Sequence, residues 1–158
     1  FFNLKKCRSM SVSNFSINGT SVNSTLYKGK SRDFSFLIDE PHELGGQDLA
    51  ANPVEYLLAA YAGCLNVVIN LIAKEQDVKI DEININIDGD IDASKLLGVT
   101  NEGRAGFQSL NVDINFITDE PQDKIDFLFK NVKQRCPIND NLSNPLPIDY
   151  NVKTTANA

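Results

Sequence analysis

The sequence predicts an α+β fold built on antiparallel sheet. Three observations carry this. Segments of alternating apolar and polar residues come in runs, three before a long helix and two after it, rather than alternating with helices one by one. One stretch, NPVEYLLAAYAGCLNVVINLIAKEQ (52–76), opens with helix-start chemistry and has no charge from Tyr56 to Ala73. The 158 residues suffice for one domain whose core needs no disulfide staples.

In chain order, residues 1–9, FFNLKKCRS, read as a leader or tag remnant, and residues 10–158 as a single domain. From Met10 to Asp39 the pattern is β. SVSNFSI (11–17), SVNSTLYK (21–28) and RDFSFLID (32–39) are rich in β-branched and aromatic residues. Asn18-Gly19 and Lys28-Gly29-Lys30 lie between them and read as turns, giving an antiparallel meander. DEPHELGGQDLAANP (39–53) reads as a loop, because proline and paired glycines interrupt any period. The long helix follows, with Asn52 as N-cap, Pro53 at the first position and Glu55 closing a capping box.

VKIDEININIDGDID (78–92) alternates, with Ile83, Ile85 and Ile87 on one face. Val78 and Ile80 have the opposite parity, so the strand starts near Glu82 or carries a bulge at Asp81. GFQSLNVDINFIT (106–118) alternates through Leu110, Val112, Ile114 and Phe116 and completes a long hairpin. PQDKIDFLFKNVKQR (121–135) is a second helix with the stripe Ile125, Leu128, Phe129 and Val132. Cys136-Pro137 starts a third, short helix, with Cys136 as N-cap. PIDYNVK (147–153) reads as a final strand. The expected order is β-β-β-α-β-β-α-α-β.

A formal net charge of −6 and the lack of a basic stripe argue against a nucleic-acid partner. Three cysteines without a C-x-x-C pair do not form a secreted disulfide framework, so a reducing, cytoplasmic setting is expected. The uncharged run reaches the length of a membrane span, but it contains Gly63, Asn66 and Asn70 and lacks a basic flank. A helix inside a soluble fold, covered nearly all round, is the expectation. His42 has no second ligand nearby in sequence, so no metal is expected.

Two residues carry potential chemistry. Cys64 lies mid-helix on an apolar face: Leu57 is about 20° away around the axis, Val68 about 40° and Tyr61 about 60°. Taken alone it is a small buried hydrophobe. Cys136, at a helix start, sits where thiolates are stabilised, although an ordinary cap cysteine fits the position too. Together the two suit a dithiol peroxidase, in which a sulfenic acid on one thiol condenses with the other. An apolar surround favours hydrophobic peroxides.

NPVEYLLAAYAGC (52–64) followed by CPINDNL (136–142) resembles the OsmC/Ohr family of osmotically inducible and organic-hydroperoxide-resistance proteins. DEPHELGG (39–46) and GFQSL (106–110) resemble its OsmC-like branch, and the likeness spans roughly residues 11–153. The resemblance implies an intertwined homodimer, with sheets wrapped around paired central helices. The strip Glu55, Ala59, Ala62, Asn66 and Asn70, opposite Cys64, is slim enough to be the seam. It further implies that Cys64 is the peroxidatic thiol and Cys136 the resolving one. No cofactor is implied beyond an external dithiol reductant, and the substrate is a small hydrophobic peroxide held near Leu57, Tyr61 and Val68. A supporting arginine is implied, for which Arg32 is the first candidate and Arg104 the second. The family's glutamate stands ten residues before the helix cysteine, where this chain has Val54. Glu55, one position later, points about 180° away from Cys64 and is better read as the capping residue. The alternatives are a non-enzymatic dimer that binds an apolar small molecule, or a thiol redox sensor.

Overall fold

A computed structural model describes residues 12–156. The reading of residues 1–9, with Cys7, lies outside them. The described residues contain two antiparallel sheets and three α-helices, in an α+β arrangement. They divide into two compact units, one ending at Tyr56 and the other starting at Leu57.

The first unit is a meander of β1 (Asn18–Ser21), β2 (Tyr27–Ser31) and β3 (Phe34–Ile38), hydrogen-bonded in that order. β3 lies within its expected segment, but the first two strands are displaced from theirs, and glycine is the reason. Gly19 and Gly29 are not turn residues but ladder partners. A β-carbon on Gly29 would fall 2.4 Å from the Phe36 ring, and one on Gly19 would fall 2.5 Å from the Tyr27 hydroxyl. Both glycines make room for an aromatic side chain on the sheet. The real turns lie elsewhere. In the first, the Asn23 carboxamide accepts the Thr25 N–H at 2.9 Å and the Leu26 N–H at 2.7 Å, an Asx turn. The second is Arg32-Asp33, with Arg32 at φ 54°. Residues 12–17, expected as the first strand, have no ladder partner.

After β3, Asp39 is fully buried and gathers the loop. Its carboxylate accepts the Gln47 N–H at 3.1 Å and the Leu49 N–H at 3.2 Å. Burial works to raise its pKa, but backbone N–H groups and the Thr25 hydroxyl outweigh that and hold it below the usual value. Gly46 is obligatory here, since a β-carbon would fall 1.7 Å from the Glu40 carbonyl oxygen. The His42 ring pairs with the Gly46 carbonyl at 3.1 Å. The unit ends in the first turn of α1 (Pro53–Glu75). There the capping box forms as read: the Asn52 N–H donates to Glu55 Oε2 at 2.8 Å and the Glu55 N–H to Asn52 Oδ1 at 2.9 Å.

The second unit holds the rest of α1, then β4 (Glu82–Ile91), β5 (Phe107–Ile117), α2 (Gln122–Arg135) and α3 (Pro137–Ser143). β4 starts at Glu82, so the parity change at Ile80 is the strand's start and not a bulge. The irregularity lies at its other end, between Asp90 and Ile91. Ile83, Ile85 and Ile87 face Phe116, Ile114 and Val112 across the ladder, and this face packs on the core. From α1 come Leu65, Val68, Ile69 and Ile72, spaced at i, i+3, i+4, i+7. From α2 come Ile125, Leu128 and Val132. Each fully buried aliphatic side chain contributes about 1.5–3 kcal/mol of transfer free energy.

Residues 147–153 are a correction: they form no strand, and Tyr150 stays 84% exposed. Alternation gives a segment strand character, but a strand needs an edge to bond to, and this segment pairs with none. A second difference concerns α1. Only 33% of its most apolar window is buried, not nearly all of it. By length and composition it could cross a membrane, a test that core helices also pass. Ala59, Gly63, Asn66 and Asn70 are exposed, and Val67 is 62% exposed.

Leu128 is fully buried in the core cluster. Leu128→Ala should lower the unfolding free energy by about 2–5 kcal/mol. Urea denaturation followed by circular dichroism measures this, and a loss under 1 kcal/mol, about one buried methylene, would contradict the described packing.

Candidate active site

The two cysteines, 72 residues apart in sequence, meet. The Cys136 thiol lies 3.0 Å from the Cys64 sulfur, and both are free thiols. A disulfide is about 2.05 Å long, so a shift of about 1 Å would bring the sulfurs to bonding distance. Their settings differ. Cys136 is 1% exposed, whereas Cys64 is half-buried.

Local sequence explains how Cys136 gets there. It closes α2 by donating its N–H to the Val132 carbonyl at 3.0 Å, and it opens α3 by accepting the Asp140 N–H at 3.0 Å. Pro137 at the first position has no N–H. The first free N–H of α3 is therefore that of Ile138, and its influence on Cys64 is to lower the thiol's pKa. So α3 aims both a thiol and a backbone dipole at one atom of α1.

Burial pushes the Cys64 thiol's pKa up, and the neighbouring Cys136 thiol adds to this, while the Ile138 N–H pulls the other way. The net direction is upward, towards the neutral thiol. No cation figures among these influences in the described residues. Arg135, which adjoins Cys136 in sequence, is turned to Glu75. Its Nη2 lies 2.9 Å from Glu75 Oε1, and its Nη1 bonds Oε2. This fork joins the end of α1 to the end of α2, and it holds the Glu75 carboxyl below its usual range.

Tyr61 completes the cluster. It is buried one turn before Cys64, and its hydroxyl donates to Asn139 Oδ1 at 2.7 Å. Burial raises its pKa, and the nearby sulfurs raise it further. Val68 is buried in the core beside this face, and Leu57 remains 39% exposed. Arg32 and Glu55 belong to the first unit. Arg32 lies in the β2–β3 turn and not in the third strand, with its guanidinium 5.0 Å from the centre of the Phe34 ring. Arg104 is exposed in the β4–β5 connection. Sequence reasoning missed Asn139 and the Ile138 N–H. The helix start at Cys136-Pro137 pointed to the second, but only the packing of α3 on α1 reveals the first.

A family model described as OsmC-like protein matches residues 45–151, a span that holds both Cys64 and Cys136. The chain belongs to the OsmC-like family. Solved structures of the family share its fold. An OsmC-like protein from Mycoplasma pneumoniae superposes with a TM-score of 0.72 at 19% identity, covering 83% of this chain and 88% of its own. An organic hydroperoxide resistance protein OsmC from Legionella pneumophila gives 0.61 at 22%, covering 84% and 91%. An organic hydroperoxide resistance protein from Elizabethkingia anophelis gives 0.61 at 23%, covering 86% and 93%. None of the curated proteins matches the sequence.

Proposed function

We propose that this OsmC-like protein is a dithiol hydroperoxide reductase acting on small hydrophobic peroxides. The observation that carries the reading is the 3.0 Å approach of a half-buried thiol and a fully buried one. The Cys64 thiolate attacks the distal peroxide oxygen, the O–O bond breaks, and the alkoxide leaves and takes a proton as the alcohol. Cys64 is then a sulfenic acid. The Cys136 sulfur displaces its hydroxyl as water and forms the Cys64–Cys136 disulfide. An external dithiol, available in a reducing cytoplasm, returns both thiols and becomes a disulfide itself. The buried position of Cys136 supports the resolving role, and the greater exposure of Cys64 supports the peroxidatic one.

The purified protein with a dithiol should consume cumene hydroperoxide, and Cys64→Ser should abolish consumption. Activity retained in that variant would reject the mechanism. Wild-type protein that keeps both thiols after peroxide treatment would favour the second reading, binding of an apolar small molecule. One observation supports that alternative: a groove of about 230 Å³ between β5 and α2, lined by Val112, Ile114, Phe116, Ile125 and Phe129, with Gln122 and Asp126 at its polar side.

Thiolate chemistry needs a positive charge near Cys64, since the surroundings within its own unit favour the neutral thiol. We propose that Arg32 supplies that charge, while Glu55 keeps its capping bonds to Asn52. The pH profile of Cys64 alkylation checks this. In Arg32→Ala the reactive form should appear only above the titration of a free cysteine, near pH 8.5, and in wild type at lower pH. Superimposed profiles would remove Arg32 from the site.

The reading includes a homodimer. The uncovered face of α1 carries Ala59, Ala60, Gly63 and Val67, small or apolar residues that let a second helix approach closely. Sedimentation analysis should find twice the 17.5 kDa chain mass, and Val67→Arg should shift the species to monomer. A wild-type monomer at high concentration would refute the seam.

A further inference from the structure

We propose that Tyr61 and Asn139 are a positioning pair that holds the Cys136 sulfur against Cys64, so that the sulfenic acid closes to a disulfide before a second peroxide reaches it. The inference rests on the dithiol mechanism above and concerns its second step.

Packing alone holds the helix that carries Cys136 only weakly. α3 has seven residues, and none of them is buried; Ile138 and Leu142 are only partly covered. Two helical turns do not persist unaided in water. Asn139 supplies what packing does not. Its Oδ1 accepts the Tyr61 hydroxyl of α1 at 2.7 Å, and its Nδ2 donates to the Lys133 carbonyl in the last turn of α2 at 2.9 Å. One carboxamide thus ties three helices together, with each end matched to the chemistry of its partner.

The geometry aims this tie at the sulfurs. Tyr61 precedes Cys64 by one turn on the same helix face, and Asn139 follows Cys136 by three residues. The bond therefore runs beside the sulfur–sulfur approach, from the same two helices. The raised Tyr61 pKa keeps the phenol a donor across the physiological range. Without the bond α3 can pivot about Cys136. That lengthens the sulfur–sulfur distance and withdraws the Ile138 N–H from Cys64 at the same time.

A sulfenic acid has two fates here. Attack by Cys136 gives the disulfide. Reaction with a second peroxide adds an oxygen, giving sulfinic acid and a second alcohol. The ratio of the two measures the rate of capture, and a purely structural role elsewhere in the fold would not move it. The experiment treats reduced wild type, Tyr61→Phe and Asn139→Ala with graded cumene hydroperoxide. Mass spectrometry then reads the Cys64 peptide as disulfide or sulfinic acid.

At equal peroxide, Tyr61→Phe should raise the sulfinic-to-disulfide ratio by about 2- to 10-fold, the effect of one lost hydrogen bond, and Asn139→Ala, which also loses the bond to the Lys133 carbonyl, by at least as much. The double variant should add little beyond Asn139→Ala, which already removes the bond to Tyr61. A wild type that forms the disulfide while both variants keep its ratio would overturn the positioning pair and leave the dithiol mechanism standing. A wild type that never forms the Cys64–Cys136 disulfide would overturn both.

Discussion

The packing of α1 on α2 is the interaction on which the rest of this molecule depends. Leu65, Ile69 and Ile72 from one helix and Leu128 and Val132 from the other are fully buried in one core cluster. Cys136 is the residue at which that seam ends. It is part of the same apolar cluster as its helical neighbours, and it is also the N-cap of α3. Burial fixes its backbone, and the change of direction after it fixes where its sulfur points. The proximity of the thiols is thus a by-product of core packing, and it persists without any bond between them. The β4–β5 hairpin covers the seam with one apolar face and leaves its polar alternates to solvent.

The electrostatics of the site follow from the same burial. An apolar seam that brings two sulfurs together also removes the water that would stabilise a thiolate. Arg135 is the nearest cation in sequence, but Glu75 takes its guanidinium in a two-bond fork that fixes the ends of the helices. Position in sequence and availability in space therefore part company within one residue of Cys136. The Ile138 N–H offers a partial charge in compensation, and it does so because Pro137 has no N–H of its own to offer.

Much of this was legible in the sequence where local periodicity and core burial agree. The α1 face with Tyr61 and Cys64, the α2 stripe, the β4–β5 hairpin and the capping box of Asn52 and Glu55 all form as the residue spacing implies. The meander was legible as β but not in its register. Gly19 and Gly29 carry the usual signature of a turn, yet they serve as ladder residues under aromatic rings, and only tertiary packing distinguishes those roles. Residues 147–153 alternate as a strand does, but alternation says nothing about whether an edge is available. At the site, Cys64 and Cys136 were visible as types at helix positions. Asn139 was not, because nothing in INDNLS distinguishes the asparagine that meets Tyr61 from the one two residues later.

The exposed face of α1 ties the fold's unfinished business to its chemistry. A 23-residue helix without charge in its middle should not leave most of its apolar window open to water. Covering it with a second copy would bury Val67 and the small residues around Gly63, where an added β-carbon meets open space. The same event would place another chain's groups near the helix that carries Cys64. Under the proposed dithiol mechanism, Cys64, whose surroundings raise its pKa, would need a positive charge nearby before attacking a peroxide. In the proposed reading, a helix face that takes a partner and a thiol that takes a cation would be two aspects of one assembly.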